Sequence, residues 1–68
     1  MNYLEWSKEY EQTASELDRV VQRLKKERRH AGRADYKELT DRITHYRHCR
    51  NECMLVAQHL RERHKGVA

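Results

Sequence analysis

Apolar residues recur at alternating steps of three and four along two stretches of this chain, and no proline interrupts either one. An α-helix needs that period to keep one face dry, so two such stretches joined by a short break leave few folds open. The break is Arg28-Arg29-His30-Ala31-Gly32-Arg33-Ala34-Asp35-Tyr36-Lys37-Glu38. Gly32 suits the left-handed conformation that stops a helix, and the cations before it meet the negative end of the helix dipole. Asp35, followed three residues later by Glu38, matches the capping box that starts a helix. The expected fold is all-α: an antiparallel two-helix hairpin, coiled-coil-like, forming one domain over residues 1–68. Helix 1 is expected over about 3–30, the turn over about 31–35 and helix 2 over about 36–65.

In helix 1 the a/d line reads Tyr3, Trp6, Tyr10, Thr13, Leu17, Val20, Leu24, Glu27 and Ala31. Asn2 is placed to cap it, with Glu5 at the third helical position. Ala14 and Val21 lie beside this line at e positions and widen the apolar stripe. In helix 2 the line reads Tyr36, Leu39, Ile43, Tyr46, Arg50, Cys53, Ala57, Leu60 and His64, and past Tyr46 a better apolar line runs through Cys49, Cys53, Val56 and Leu60. Folding back at Gly32 brings Leu24 near Ile43 and Tyr46, and Trp6 near Leu60. It sets Glu16 or Asp18 beside Arg50, and Glu5 and Glu9 beside Arg61, Arg63 and Lys65.

A core of this size supplies only about 3–5 kcal/mol without a staple or a partner. The segment Cys53-Met54-Leu55-Val56-Ala57 is apolar on every side, and a helix that is hydrophobic all round is buried all round. A lone hairpin has nothing to cover Met54 and Leu55. Cys53, Met54, Leu55 and Val56 are therefore the expected oligomer interface, with a homodimer forming a four-helix bundle as the simplest partner and another protein as the alternative.

Charge is uneven. Residues 1–18 hold one lysine against five acids, a net −4, whereas residues 19–34 hold seven Lys/Arg against one acid, a net +6. The remaining residues add seven cations and five acids, which brings the whole to +4. The basic tip, with Lys25, Lys26, Arg28, Arg29, Arg33 and Lys37 as candidate contacts, suggests a nucleic-acid binder that touches phosphates through Coulombic contacts. Against this, Lys and Arg favour helix C-termini in any helical protein, Tyr36 is the one aromatic at hand to stack a base, and no nucleic-acid-binding motif is present.

His45, Cys49 and Cys53 are spaced i, i+4, i+8, a stack about 12 Å long at 1.5 Å per residue, whereas zinc gathers its ligands around a point. Two of them can share an ion and three cannot; His48 and His59 do not complete the set, so no metal or other cofactor is expected. Cys49 and Cys53 are also too far apart along one helix for a disulfide, and both read as thiols. Ser15-Glu16-Leu17-Asp18-Arg19-Val20-Val21 resembles, over these few residues, the S-Q-E-L-D signature of a family of small helical-hairpin aspartyl-phosphate phosphatases from sporulating bacteria. It lacks the glutamine and lies on helix 1, where that family carries its motif on the second helix, and no membership is assigned.

No glycine-rich phosphate loop, no nucleophile with a plausible base and no length for a pocket point to an enzyme. No apolar run approaches the roughly 18 residues of a membrane span, and Met1 is followed by Asn2-Tyr3-Leu4-Glu5 instead of a leader. A cytoplasmic, unprocessed protein without membrane contact is expected. The function read from these features is a self-associating interaction module or small regulatory subunit, with a basic nucleic-acid-binding regulator as the alternative.

Overall fold

The computed structural model describes residues 2–67, and they form two α-helices packed against each other in an antiparallel hairpin. Helix α1 spans Tyr3–Arg29 and helix α2 spans Arg33–Val67. The hairpin is 53 Å long and 14 Å across in both other directions. Neither helix is long and apolar enough to cross a membrane.

Helix α1 starts as its sequence anticipates. The Asn2 side chain accepts a hydrogen bond from the Glu5 backbone N–H at 2.8 Å, and the Asn2 carbonyl accepts the first helical bond from Trp6 at 3.2 Å. One of the four donors that a helix start leaves unpaired is thereby satisfied by the side chain, with Glu5 placed to meet the positive end of the dipole. The reversal differs from expectation. Gly32 does not take a positive φ. Instead α1 tightens over its last turn, with His30 N–H bonded to the Glu27 carbonyl at 3.1 Å and Ala31 N–H to the Arg28 carbonyl at 3.2 Å. The Gly32 carbonyl then accepts from Tyr36 N–H at 2.8 Å, so α2 is under way at Arg33 and Asp35 lies inside its first turn. Asp35 thus stabilises the helix start as an anion near the dipole, and the expected cap at that residue does not form.

The contact between the helices also lies off the expected line on α1. Ser7, Ala14 and Val21, seven apart, are buried, as is Leu24, whereas Trp6, Tyr10 and Thr13 are exposed. The line that meets α2 runs Ser7, Ala14, Leu17, Val21, Leu24 and Arg28. At 100° per residue its centre is turned about 50° from the a/d line of the sequence reading. Helix α2 meets it along Ile43, Arg50, Ala57 and His64, also seven apart, with Ile43 and Ala57 fully covered. Leu39, Tyr46, Cys53 and Leu60, the other members of its expected line, are half-buried, and Tyr36 is exposed.

The hydrophobic core is at the tip half of the hairpin. Val21, Leu24 and Ile43 form it, with Val20, Leu39 and Tyr46 packed against them. Toward the open end the buried residues are Ser7, Ala14 and Ala57. These side chains let two helices approach closely but bury little apolar area. Ser7 has no solvent contact, and its hydroxyl donates to the Leu4 carbonyl at 2.7 Å, which satisfies it within its own helix.

Candidate functional site

Two packed helices present two broad faces, and here the faces differ. One is polar and tied across the helices. Arg61 Nη2 lies 2.7 Å from Glu11 Oε1, and Arg50 Nε lies 3.2 Å from Asp18 Oδ1. Further toward the tip, Arg28 donates to the Thr40 hydroxyl at 3.2 Å and stands over the Tyr36 ring at 5.2 Å. The Asp18 partner for Arg50 agrees with the sequence reading. The partner for Arg61 is Glu11 and not Glu5 or Glu9: the 50° turn of α1 that buries Ser7 and Ala14 carries Glu11 to the α2 side and swings Glu5 and Glu9 away.

The opposite face is apolar. Trp6, Tyr10 and Thr13 of α1 line a groove with Val56 and Leu60 of α2, and Glu9 stands at its rim. A second, adjoining groove is lined by Leu55, Val56, His59, Leu60 and Arg63. Trp6 is 43% exposed, Tyr10 40%, Val56 38% and Leu55 57%. Side chains of this size left in water on both helices, on one side, form a surface patch and not a scatter of single residues. Tyr3 and Trp6 at its outer end have their rings 6.3 Å apart in a tilted arrangement.

The four residues expected at an oligomer interface are thereby sorted. Successive residues of a helix point about 100° apart, so Cys53, Met54, Leu55 and Val56 encircle α2. Val56 belongs to the apolar face, and Cys53, three residues before it, is half-buried toward the same side. Leu55 stands at the outer edge. Met54 lines a shallow hollow on the ion-paired side with Asn51, Leu55, Gln58, Arg61, Glu62 and Lys65, so Leu55 borders both sides of α2.

The expected nucleic-acid contacts separate as well. Arg28 is committed to Thr40 and Tyr36, and Lys25 is half-buried, while Lys26, Arg29, Arg33 and Lys37 are exposed. Among the described residues none of these six cations forms an ion pair. Arg19 and Arg23, which the reading of the basic tip passed over, continue the series. Arg19, Arg23, Lys26 and His30 follow steps of four, three and four and are all exposed. They form a line about 16 Å long on the side of α1 away from α2. The signal for it lay in that spacing, hidden until the inward side of α1 was known.

Among the described residues no group of three His, Cys, Asp or Glu side chains is arranged to hold a metal ion. His45 Nε2 and Cys49 Sγ are 3.7 Å apart on the surface of α2, and both cysteines are free thiols. In the Ser15–Val21 segment, Leu17 is half-buried, Val20 packs on the core and Asp18 is paired with Arg50, so packing accounts for these three residues. The chain matches no family model, no curated protein and no solved structure.

Proposed function

We propose that this chain is a non-enzymatic helical-hairpin module that works by association: it self-associates through the apolar side of α2 and presents its charged outer surfaces, as an adaptor or small regulatory subunit. The observation that carries this reading is the groove shared by Trp6, Tyr10, Val56 and Leu60. Covering such side chains is worth about 1.5–3 kcal/mol each, comparable with the whole stability of a core this small. A homodimer gains that area twice through one two-fold contact. The two unbridged thiols suit a reducing compartment, and this reading puts the module in the cytoplasm. Light scattering coupled to size exclusion at tens of micromolar tests it. The wild-type chain is expected at twice the chain mass, and Leu55→Glu combined with Val56→Glu at the mass of one chain. A wild-type mass of one chain defeats the proposal.

A second reading rests on the exposed cation line. Arg19, Arg23, Lys26 and His30, continued by Arg29 and Arg33 around the tip, fit the phosphate backbone of a nucleic acid, with contacts that carry little base information. Duplex DNA or RNA titrated at low and near-physiological salt is expected to lose affinity steeply with salt and with reversal of Lys26, Arg29 and Arg33 to Glu. Affinity indifferent to both changes removes this reading.

A further inference from the structure

We infer that the apolar face is the contact between two copies of this chain stacked antiparallel, the tip of one over the open end of the other. This rests on the self-association just proposed and assigns it a face and an orientation. Three observations support it.

The first is angular. When four helices stand at the corners of a square, the centre of the bundle lies about 45° from the direction of either neighbour. The apolar stripe of α1, which runs Tyr3, Trp6, Tyr10, Thr13, Leu17 and Val20, is turned about 50° from the line that faces α2. Helix α2 leans to the same side: Leu39, Tyr46, Cys53 and Leu60 flank its contact line, and Val56 and Leu60 share a groove with Trp6 and Tyr10. A hairpin complete in itself points both stripes at each other. Here both point at a place beside the hairpin, where a second pair of helices completes the square.

The second is size. The face runs along the 53 Å hairpin, and a second copy is a partner of that same length.

Charge then selects the orientation. The Asp18–Arg50 pair marks the middle of the hairpin. On the tip side of it, residues 19–49 hold ten Lys/Arg against four acids, a net +6, whereas the open half holds five against seven, a net −2. These charges lie largely on the outer side of α1 and on the ion-paired face, so they act on the stack at long range: parallel stacking sets +6 beside +6, and antiparallel stacking sets +6 beside −2. The rim of the apolar face, acidic at the tip although that half as a whole is basic, favours the same orientation. At the tip, Glu27, Asp35 and Glu38 border Leu39 with Arg42 as the one cation among them, and at the open end Arg63 borders Leu60 while Glu9 stands beside Trp6 and Tyr10, so the tip rim is acidic and the open-end rim is neutral. The antiparallel stack brings Arg63 of each copy toward that acidic rim of the other, where the parallel stack would set the two acidic rims together.

The test combines mass with a distance. Gly32→Cys puts a labelling site at the tip, where a side chain meets no neighbour within 4 Å; Cys49→Ala and Cys53→Ala leave it the only thiol. Circular dichroism checks that the triple variant keeps its helicity, and light scattering that it stays a dimer. Spin labels at position 32 are expected about 50 Å apart, the length of the hairpin. A separation under about 20 Å, which parallel stacking at a helix spacing of 8–10 Å requires, overturns the orientation and leaves self-association standing. A mass of one chain for the wild type overturns both. The face is read separately: Val56→Glu is expected to shift the dissociation constant at least tenfold, and Asn51→Asp, the same change of charge on the ion-paired face, by less than twofold. Equal shifts overturn the assignment of the face.

Discussion

The two halves of this hairpin use their side chains in opposite ways. Around the tip the large residues other than Tyr36 are inside, with Val21, Leu24 and Ile43 covered and Val20, Leu39 and Tyr46 closing over them. At the open end Ser7, Ala14 and Ala57 are inside, and Trp6, Tyr10, Leu55 and Val56 face water. The tip half folds as a protein core does. The open half spends its contact with α2 on close approach of two backbones and keeps its apolar area for a surface. The buried apolar core and the largest exposed apolar patch thus lie on different lengths of the same two helices, and substitutions separate what each contributes.

Ile43→Ala gives the largest effect expected. It empties the centre of the tip core and costs about 2–5 kcal/mol, most or all of what a core of this size supplies. Val56→Ala, at the open end, should leave the helical signal of each hairpin nearly intact while weakening association. Thermal melts followed by circular dichroism, with the mass measured in parallel, decide this. If the two variants lose helicity equally, the division of labour between the halves is wrong.

A smaller effect sharpens the same comparison. Ala57 is completely covered, and Ala57→Leu forces the helices apart where they approach on small side chains, at a cost of about 1–3 kcal/mol. A lower melting temperature is the expected result. An unchanged one means that the open half has room for a larger side chain, and that its large residues are outside for some other reason.

Much of this fold is legible in the sequence. The two helices, a reversal around Gly32, the Asn2 cap with Glu5 and Glu16 or Asp18 as the neighbour of Arg50 follow from period, capping chemistry and register. The inward side of α1 did not. A stripe of apolar residues at helical spacing records where water is excluded, and it cannot say which neighbour excludes it. On α1 the stripe serves two directions, and the residues that face α2 most directly, Ser7 and Ala14, are too small or too polar to register as core. Their seven-residue recurrence with Val21 was the available signal. The same shift accounts for Glu11 replacing Glu5 and Glu9 as the partner of Arg61. The start of α2 was missed for a local reason: Ala31 and Ala34 tolerate helical or near-helical backbone on either side of Gly32, so the reversal is completed before Asp35 is reached.

The place of the core within the hairpin also sets an order of events as the chain folds. Arg28 and Thr40 are 12 residues apart along the chain and Asp18 and Arg50 are 32 apart. Pairs nearer the open end close longer loops still. Each doubling of the loop adds about 0.6 kcal/mol of closure entropy, so the reversal and the Val21-Leu24-Ile43 cluster are the natural nucleus, and the helices come together from there outward. The last segment to close is the one with the smallest buried side chains, and hydrogen exchange should find it the first to open. A second hairpin stacked antiparallel would lay its own nucleus across that fraying end, so that each copy clamps the other where it is weakest.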